Sequence, residues 1–449
     1  MASSTQQRDL TSGTILGQLV RMTVPMVWGI VAVMSIGLID TYFVGQLGTQ
    51  ALAALGFVFP VMLTLTSLAI GLGAGAASVI SRVIGAGDQH QVKRLTTDAL
   101  CLGLAVVMLA SGLGMLTIEP LFLLLGASQG LIPLISSYMM VWYPSMVLLV
   151  IPMLANSIIR ANGDSFYPSV IMIIAAVING ILDPLLIQGL WLFPELGFAG
   201  AAWASVGARS LTLLASLLIL MYRERMLSYS LPSAASLLSS WASIARIGIP
   251  AAGGNMVNPV GVAIITAAIA LIGQEQVAGF NVASRMQAFA VIPMLALSAS
   301  IGPVVGQNWG ADLKHRSAQA LKASFIFSLL WSLLLAVLFW LFAAPLAGLF
   351  SSDQQVITIA CQYLHIVPFS LVGYGCVIIA AAAFNAIDRP IPALVYNLHR
   401  TFIWLAPLAW LAAALSTVEA VFWSVVLANI VGGAAAVAHA WHFFRKHIE

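Results

Sequence analysis

Charged residues are scarce in this sequence. Only 7% of its 449 residues are Asp, Glu, Lys or Arg, whereas 61% are hydrophobic. Soluble domains contain about 25% charged residues, so this composition excludes a soluble globular fold and indicates an integral membrane protein. The net charge is only +3, and Lys and Arg form no dense basic block. No nucleic-acid partner is therefore expected.

Cysteine is also rare, and the chain begins without a recognisable secretion signal. Cys101, Cys361 and Cys376 all fall in apolar runs and lack metal-ligand spacing, so we interpret them as small buried residues. We expect no metal site and no cofactor. Residues 1–14 are polar and precede an apolar run that is too long for a cleavable signal peptide. The first span is therefore expected to direct insertion.

Long apolar runs recur about twelve times along the chain. We place them near residues 15–42, 52–80, 95–118, 134–158, 167–189, 197–221, 241–270, 277–305, 318–344, 357–383, 391–413 and 418–443. Each is long enough to cross a bilayer as a helix of roughly 20 residues. The runs are continuous and do not alternate with polar residues, which excludes a transmembrane β-barrel. The sequence predicts an all-α integral membrane protein with twelve transmembrane helices.

The positions of Lys and Arg predict the orientation of the chain, because short loops rich in these residues stay in the cytoplasm. We assign these basic residues to one side of the membrane: Arg8, which lies outside the residues that the structure describes, and Arg21, Lys93, Arg94, Arg160, Arg223, Arg225, Lys314, Arg316, Lys322, Arg389, Arg400, Arg445 and Lys446. The connections on the other side carry acidic residues or no charge. We therefore predict a multi-pass protein of the inner membrane with both termini in the cytoplasm.

The chain repeats itself at an offset of 225 residues. The segment "VIGAGDQHQVKR" from Val83 aligns with "NWGADLKHRSAQ" from Asn308, and Tyr138 aligns with Tyr363. An even number of helices per repeat gives both halves the same orientation, related by an axis along the membrane normal. We predict two pseudo-symmetric six-helix bundles, residues 1–225 with the ion site and residues 226–449.

This repeat is typical of secondary transporters, and no nucleotide-binding motif accompanies it. The glycine-rich segment "GLGAG" at 71–75 follows no predicted strand. We interpret it as small residues that allow close helix packing. Transport energy is therefore expected to come from an ion gradient.

Two acidic residues, Asp40 and Asp183, have apolar sequence on both sides within a predicted span. Intramembrane acids usually face a cavity or a partner and mark ion or proton pathways. Asn179 lies one helical turn before Asp183 on the same face and offers it a neutral hydrogen-bonding partner. Burial and mutual repulsion disfavour two charges in such a pocket, which suits proton exchange. The alternative is that each acid caps a helix near the outer surface.

Other unusual residues also lie inside predicted spans. Pro25 interrupts the first span and is either its hinge or a static kink. Arg209 and Arg285 require partners at that depth. Arg285 could bind an anionic substrate or pair internally, and internal pairing is favoured. Tyr138 and Asn156 are possible contacts in a substrate cavity, although such residues mostly serve packing.

Five motifs are distributed over nearly the whole chain: "MTVPMVWG" from Met22, "IDTYFVGQLGTQALAALGF" from Ile39, "RANGDSFYPS" from Arg160, "INGILDPLLI" from Ile178 and "GQNWGAD" from Gly306. By these motifs the chain resembles the multidrug and toxic compound extrusion (MATE) transporters, and within them the DinF-like branch. The resemblance covers nearly the whole chain.

The resemblance implies two six-helix bundles that export organic cations against inward flow of H⁺ or Na⁺. In the DinF-like branch, the acidic site of the N-terminal bundle corresponds here to Asp40, Asn179 and Asp183. The bend of the first helix corresponds to Pro25. Ser205, in the sixth span, is the nearest candidate for an additional hydroxyl ligand.

The coupling ion is predicted from a difference between this chain and another branch of that family. The Na⁺-driven NorM-like branch uses acids in its seventh and tenth helices, whereas spans 241–270 and 357–383 contain none here. Proton coupling is therefore favoured. Sodium stays possible, although a cation site requires several oxygen ligands.

We therefore predict a transporter, not an enzyme, that acts as a monomer in the lipid bilayer and exchanges amphipathic, mostly cationic drugs for H⁺. A Na⁺-coupled drug antiporter is one alternative. A flippase for lipid-linked precursors is another, but it needs several basic residues at depth, and the sequence offers only Arg209 and Arg285 there. An intramembrane aspartyl hydrolase built from Asp40 and Asp183 is disfavoured by the twelve spans in two repeats.

Overall fold

The structure, a computed structural model, describes residues 9–228, 233–415 and 417–448. Within these ranges all regular structure is helical, and twelve helical segments follow the predicted spans. They are α1 (Ile15–Gly45), α2 (Thr49–Gly85), α3 (Gln89–Leu116), α4 (Gln129–Ala161), α5 (Phe166–Ile187), α6 (Phe198–Arg223), α7 (Ala234–Ala270), α8 (Gln274–Ala290 and Ile292–Gly310), α9 (Lys314–Gly348), α10 (Gln354–Ala386), α11 (Pro390–Leu398, His399–Leu405 and Ala406–Ala414) and α12 (Val418–Ile448). The predicted all-α fold is confirmed.

Several of these segments depart from a regular α-helix: α4 and α10 contain 3-10 turns, α6 ends in a π-helical stretch, and α8 and α11 are interrupted within the span. The two parts of α8 meet at a bend of 41°. The central stretch of α11, His399–Leu405, is π-helical, and α11 also contains the polar residues Asn397, His399 and Arg400. These polar residues lower the hydropathy of α11, so among the described helices ten, or eleven with α8, are apolar enough to cross a membrane on composition alone.

The chain forms two compact units. The first unit contains Pro25–Ala252, and the second contains Asp9–Val24 together with the chain from Gly253 onward. The sequence suggested a division at residue 225 instead. The difference arises because α1 and α7 are continuous helices whose first turns belong to one unit and whose remainder belongs to the other. The helix α1 changes unit at Pro25, and α7 changes unit just after Pro250, the position that corresponds to Pro25 in the repeat.

The internal repeat is visible as matching side-chain contacts. In the first unit, the hydroxyl of Tyr138 on α4 contacts the sulfur of Met62 on α2 at 3.8 Å. In the second unit, the hydroxyl of Tyr363 on α10 donates a hydrogen bond of 2.7 Å to the side chain of Gln287 on α8. Tyr138 aligns with Tyr363, and Met62 aligns with Gln287, at the offset of 225 residues. Each half therefore folds around an equivalent tyrosine.

The "GLGAG" segment lies where α2 crosses α7 in the first unit. A Cβ atom on Gly71 would lie 2.4 Å from the carbonyl oxygen of Gly248. A Cβ atom on Gly75 would lie 2.4 Å from the carbonyl oxygen of Ile244. Both approaches are too close for any side chain, so the interpretation of this segment as a close-packing surface is confirmed.

Candidate functional site

The first unit brings together the two intramembrane acids and one amide, which we call the acid cluster: Asp40 on α1, and Asn179 and Asp183 on α5. The amide nitrogen of Asn179 donates to Oδ1 of Asp183 at 3.0 Å. The same nitrogen reaches Oδ1 of Asp40 at 3.5 Å, the outer limit of a hydrogen bond. Asn179 is 2% exposed and Asp183 is fully buried, whereas Asp40 is partly exposed. A single amide thus bridges two carboxyl groups.

The local sequence explains why α1 can approach α5 at this point. Gly180 follows Asn179, and a Cβ atom there would already lie 3.3 Å from Cδ1 of Ile39, the neighbour of Asp40. A larger residue would push α1 away. Pro184 follows Asp183 within α5 and removes one backbone hydrogen bond from that turn. The helix is therefore narrow and locally weakened beside the acids.

The hydrogen bonding of Asp183 indicates what the acid cluster can do. Its second oxygen, Oδ2, is buried and accepts no hydrogen bond from an amide, hydroxyl or guanidinium group of the described residues. The carboxyl group of Asp40 lies within hydrogen-bonding reach of Asp183, and such a bond requires a proton on one of the two acids. An ionised carboxylate oxygen that is buried without a donor is unfavourable. A proton on this carboxyl group removes the charge, so the geometry suits a group that alternates between protonated and deprotonated forms. Within the described ranges, no set of three or more His, Cys, Asp or Glu residues could hold a metal ion.

Two further residues adjoin the acid cluster. The guanidinium group of Arg209 on α6 interacts electrostatically with Asp40 and with Tyr138. Arg209 therefore supplies a positive charge that can partner the Asp40 carboxylate when its proton leaves. Tyr138 is 2% exposed, and its ring packs against Phe198 with 4.9 Å between ring centroids. Packing thus fixes the tyrosine ring, and its hydroxyl interacts electrostatically with Asp40 and Asp183.

The structure does not join Asn156 and Ser205 to the acid cluster by hydrogen bonds among the described residues. Asn156 on α4 is buried, and its carbonyl oxygen has no partner in the described part of the chain. Ser205 on α6 is buried one turn before Arg209. Their roles as contacts for substrate or ion stay predictions.

Pro25 and Arg285 are not part of the acid cluster. Pro25 is half-buried inside α1, which stays helical through it. Arg285 on α8 is exposed, and no described residue forms a hydrogen bond or an ion pair with it. The internal pairing expected for Arg285 is therefore not seen among the described residues and stays a prediction. The nearby polar group that the sequence offered, Gln287, instead accepts a hydrogen bond from Tyr363.

Arg400 requires a correction. The sequence analysis assigned it to a cytoplasmic connection, but it lies in the middle of α11 and is 7% exposed. One guanidinium nitrogen donates to Oδ1 of Asn429 at 3.0 Å, and the other terminal nitrogen donates to Oδ1 of Asn258 at 2.8 Å. Residue 400 lies inside the predicted span 391–413, and this position already indicated an intramembrane arginine.

Comparison with protein families matches both halves of the chain to one family. The MatE family model matches residues 25–185 and residues 250–411. The two matched segments begin 225 residues apart, which is the offset of the internal repeat.

Individual relatives cover almost the full length. The FAD transporter of Shewanella oneidensis is 40% identical over 429 residues, which are 96% of this chain and 95% of that relative. The probable multidrug resistance protein YpnP of Bacillus subtilis is 26% identical over 410 residues, 90% of each chain. Among solved structures, the Vibrio cholerae MATE transporter VcmN in the bent form is similar with a TM-score of 0.91. Its sequence identity is 31%, over 96% of this chain and 98% of that chain.

Proposed function

We propose that this chain, which belongs to the MatE family of membrane transporters, exports organic molecules in exchange for H⁺ that moves inward. The chain is a transporter and not an enzyme. The observation that carries the proton-coupling proposal is the acid cluster, in which one amide bridges two carboxyl groups and a buried carboxyl oxygen lacks an amide, hydroxyl or guanidinium donor among the described residues.

The proposed cycle begins with protonation from the outer side. A proton taken up by the acid cluster removes negative charge from Asp40 or Asp183. A cationic substrate held by that charge is then released, because a proton and a cation cannot both use the same carboxylate. The half of α1 that follows Pro25 rearranges with the protonation state, since it carries Asp40. Loss of the proton to the cytoplasm restores the starting state.

Two substrate classes follow from the relatives. Amphipathic, mostly cationic drugs are the first candidate, and the probable multidrug resistance protein of Bacillus subtilis supports it. A flavin nucleotide is the second candidate, because the 40% identical relative from Shewanella oneidensis is an FAD transporter. Coupling to Na⁺ and transport of lipid-linked precursors are the alternatives that the experiments must separate from these.

Export assays in cells test the proposal. The wild-type gene and Asp40→Asn are expressed in a bacterial host that lacks its main drug exporters, and drug resistance and FAD in the medium are measured. We expect the wild type to raise one of these quantities. We expect Asp40→Asn to abolish the increase at an unchanged protein level, because it removes a carboxyl group from the acid cluster.

The matched control is Glu119→Gln, which neutralises an exposed acid of the same unit. This variant is expected to behave as the wild type. Full export by Asp40→Asn, at equal protein level, would refute the coupling role of the acid cluster.

A further inference from the structure

The interior of the second unit holds a polar group that the proposed cycle does not use. We call it the Arg400 cluster: Arg400 on α11, Asn258 on α7, Asn429 on α12, and Tyr374 and Ser370 on α10. The guanidinium group donates to both asparagine oxygens at 2.8 and 3.0 Å and lies 5.1 Å from the centre of the Tyr374 ring. The amide of Asn429 in turn donates to the hydroxyl of Ser370 at 3.1 Å. Four helices therefore converge on one cation.

This cation has only neutral partners. Among the described residues no carboxylate contacts Arg400, and its Nε atom is buried without any hydrogen-bond partner. The described acidic residues of the second unit all lie at or beyond helix ends: Asp9, Glu275, Asp312, Asp353, Asp388 and Glu419. A charge at this depth without a counter-ion is costly, and such residues usually face a substrate or an ion.

The repeat relates this cation to the acid cluster. The acid cluster is built by α1 and α5, with Tyr138 on α4 and Arg209 on α6 beside it. The Arg400 cluster is built by α7, α10, α11 and α12, the repeat partners of α1, α4, α5 and α6. In the second half, the positions equivalent to the two acids hold Ile265 and Leu408. Arg400 itself aligns with Ala175, about two helical turns from Asp183. Corresponding helices of the two bundles thus carry acids in the first unit and a cation in the second.

The backbone around Arg400 is shaped for its side chain. Arg400 lies in the π-helical stretch His399–Leu405, and π-helical turns within α-helices are frequent at functional sites. On α12, Gly432 leaves space for the arginine, since a Cβ atom there would lie 2.9 Å from Cβ and from Cγ of Arg400. A larger residue at this position would displace the guanidinium group.

We propose that Arg400 binds the phosphate or other acidic group of an anionic organic substrate within the second unit. This proposal rests on the proposed function. It extends that function by naming the chemical group of the substrate that the protein recognises. Arginine suits this role because its planar guanidinium group donates several hydrogen bonds to one phosphate. The unpartnered Nε–H is the free donor, and the two asparagines hold the plane of the group.

Equilibrium binding to purified protein tests the proposal. Wild type and Arg400→Gln are placed in nanodiscs of phosphatidylcholine and titrated with FAD or with riboflavin, which has the same ring system without phosphate. We expect Arg400→Gln to weaken FAD binding roughly ten- to hundredfold, the loss typical of a hydrogen-bonded charge, and to leave riboflavin binding unchanged. Equal effects on both ligands, or no effect on either, would overturn the proposal.

Three control arms separate the possible causes. Arg285→Gln removes the exposed arginine of α8 and is expected to bind FAD as the wild type does; equal weakening would overturn the assignment to Arg400. Glu119→Gln, at an exposed acid of the first unit, is expected to retain the preference for FAD. Nanodiscs hold no ion gradient, so failure of proton coupling leaves this binding measurement unchanged, whereas failure of the anion site does not. In nanodiscs with phosphatidylglycerol, unchanged FAD affinity supports a soluble substrate. If phosphatidylglycerol competes with FAD and this competition depends on Arg400, the occupant is a lipid headgroup. That result would overturn the assignment of the site to a soluble substrate.

The stability of ligand-free Arg400→Met separates binding from a purely structural role. Replacing a buried charge without a counter-ion by an apolar residue of similar length is expected to shift the thermal midpoint by no more than about 4 °C. If Arg400 only holds the helices together, this variant loses stability strongly, and Arg400→Lys recovers both stability and FAD binding. That pair of results would overturn the proposal.

Discussion

At the scale of single residues, Asn179 connects the two acids of the acid cluster, because its amide faces both carboxyl groups. We predict that Asn179→Ala lowers H⁺-driven transport about tenfold or more, since the two acids lose the donor that holds them together. Loss of this buried hydrogen bond should also reduce the free energy of unfolding by about 1–3 kcal/mol. Initial transport rates and thermal unfolding in detergent measure both effects.

The matched control is Asn281→Ala, which changes an exposed asparagine of the second unit. It should leave both measurements unchanged. Normal H⁺-driven transport by Asn179→Ala would show that the bridge between the acids is dispensable.

The protonation of Asp40 and Asp183 gives a prediction for pH. We expect the affinity of purified protein for a fluorescent organic cation to fall as the pH is lowered from about 8 to about 5, because protonation removes the charge that holds the cation. Dye binding at equilibrium measures this. An affinity that does not change over this range contradicts direct competition. If Asp40→Asn keeps the wild-type pH dependence, the proton acts elsewhere, and Asp183 becomes the leading candidate.

Single residues also show what the sequence could and could not predict. The pairing of Asn179 with Asp183 follows from helical spacing, since the two residues lie one turn apart on α5. The partners of Arg400 could not be predicted in this way. Asn258 is 142 residues distant in sequence and Asn429 is 29 residues distant, and each lies on a different helix. Spacing within one helix carries no information about such contacts.

At the scale of helices, Pro25 separates the part of α1 that belongs to the second unit from the part that belongs to the first. The proline removes one backbone hydrogen bond from α1 and lies where the chain passes from one compact unit to the other. Beyond it, no side chain from Ile30 to Phe43 is buried. We predict that Pro25→Ala slows transport severalfold and leaves substrate affinity nearly unchanged, because a hinge affects movement more than binding.

Transport rate and dye affinity of the same preparation test this prediction. Pro60→Ala, at an exposed proline inside α2, is the control and should affect neither. Equal losses of rate and affinity in Pro25→Ala would favour a static kink.

The crossing of α2 with α7 gives a prediction for stability. We expect Gly75→Leu to destabilise the first unit by about 1–3 kcal/mol or more, because its side chain would meet the backbone of α7. Gly56→Ala in the same helix should be tolerated, since no atom lies within 4 Å of a Cβ there. Thermal unfolding of both variants in detergent checks this, and a wild-type midpoint for Gly75→Leu would contradict the close packing.

At the scale of the whole molecule, hydropathy was sufficient to predict the twelve helices but not how they form units. Apolar length identifies each span because the bilayer requires about 20 apolar residues. It does not reveal that α1 and α7 each belong to two units, since a continuous apolar helix looks the same whatever it packs against. The bend in α8 lies beside Pro293, and the π-helical stretch in α11 ends just before Pro407. Apolar length does not predict either departure, although proline is a residue that disturbs a regular helix.

The central claim is that the acid cluster couples export to H⁺ entry. Purified protein is reconstituted into liposomes loaded with a fluorescent organic cation or with FAD, and an inward H⁺ gradient or an inward Na⁺ gradient is imposed separately. The account predicts that the H⁺ gradient drives efflux by the wild type, that the Na⁺ gradient does not, and that Asp40→Asn abolishes the H⁺-driven efflux. Efflux driven by Na⁺ alone, or H⁺-driven efflux that is equally fast in Asp40→Asn, would contradict it.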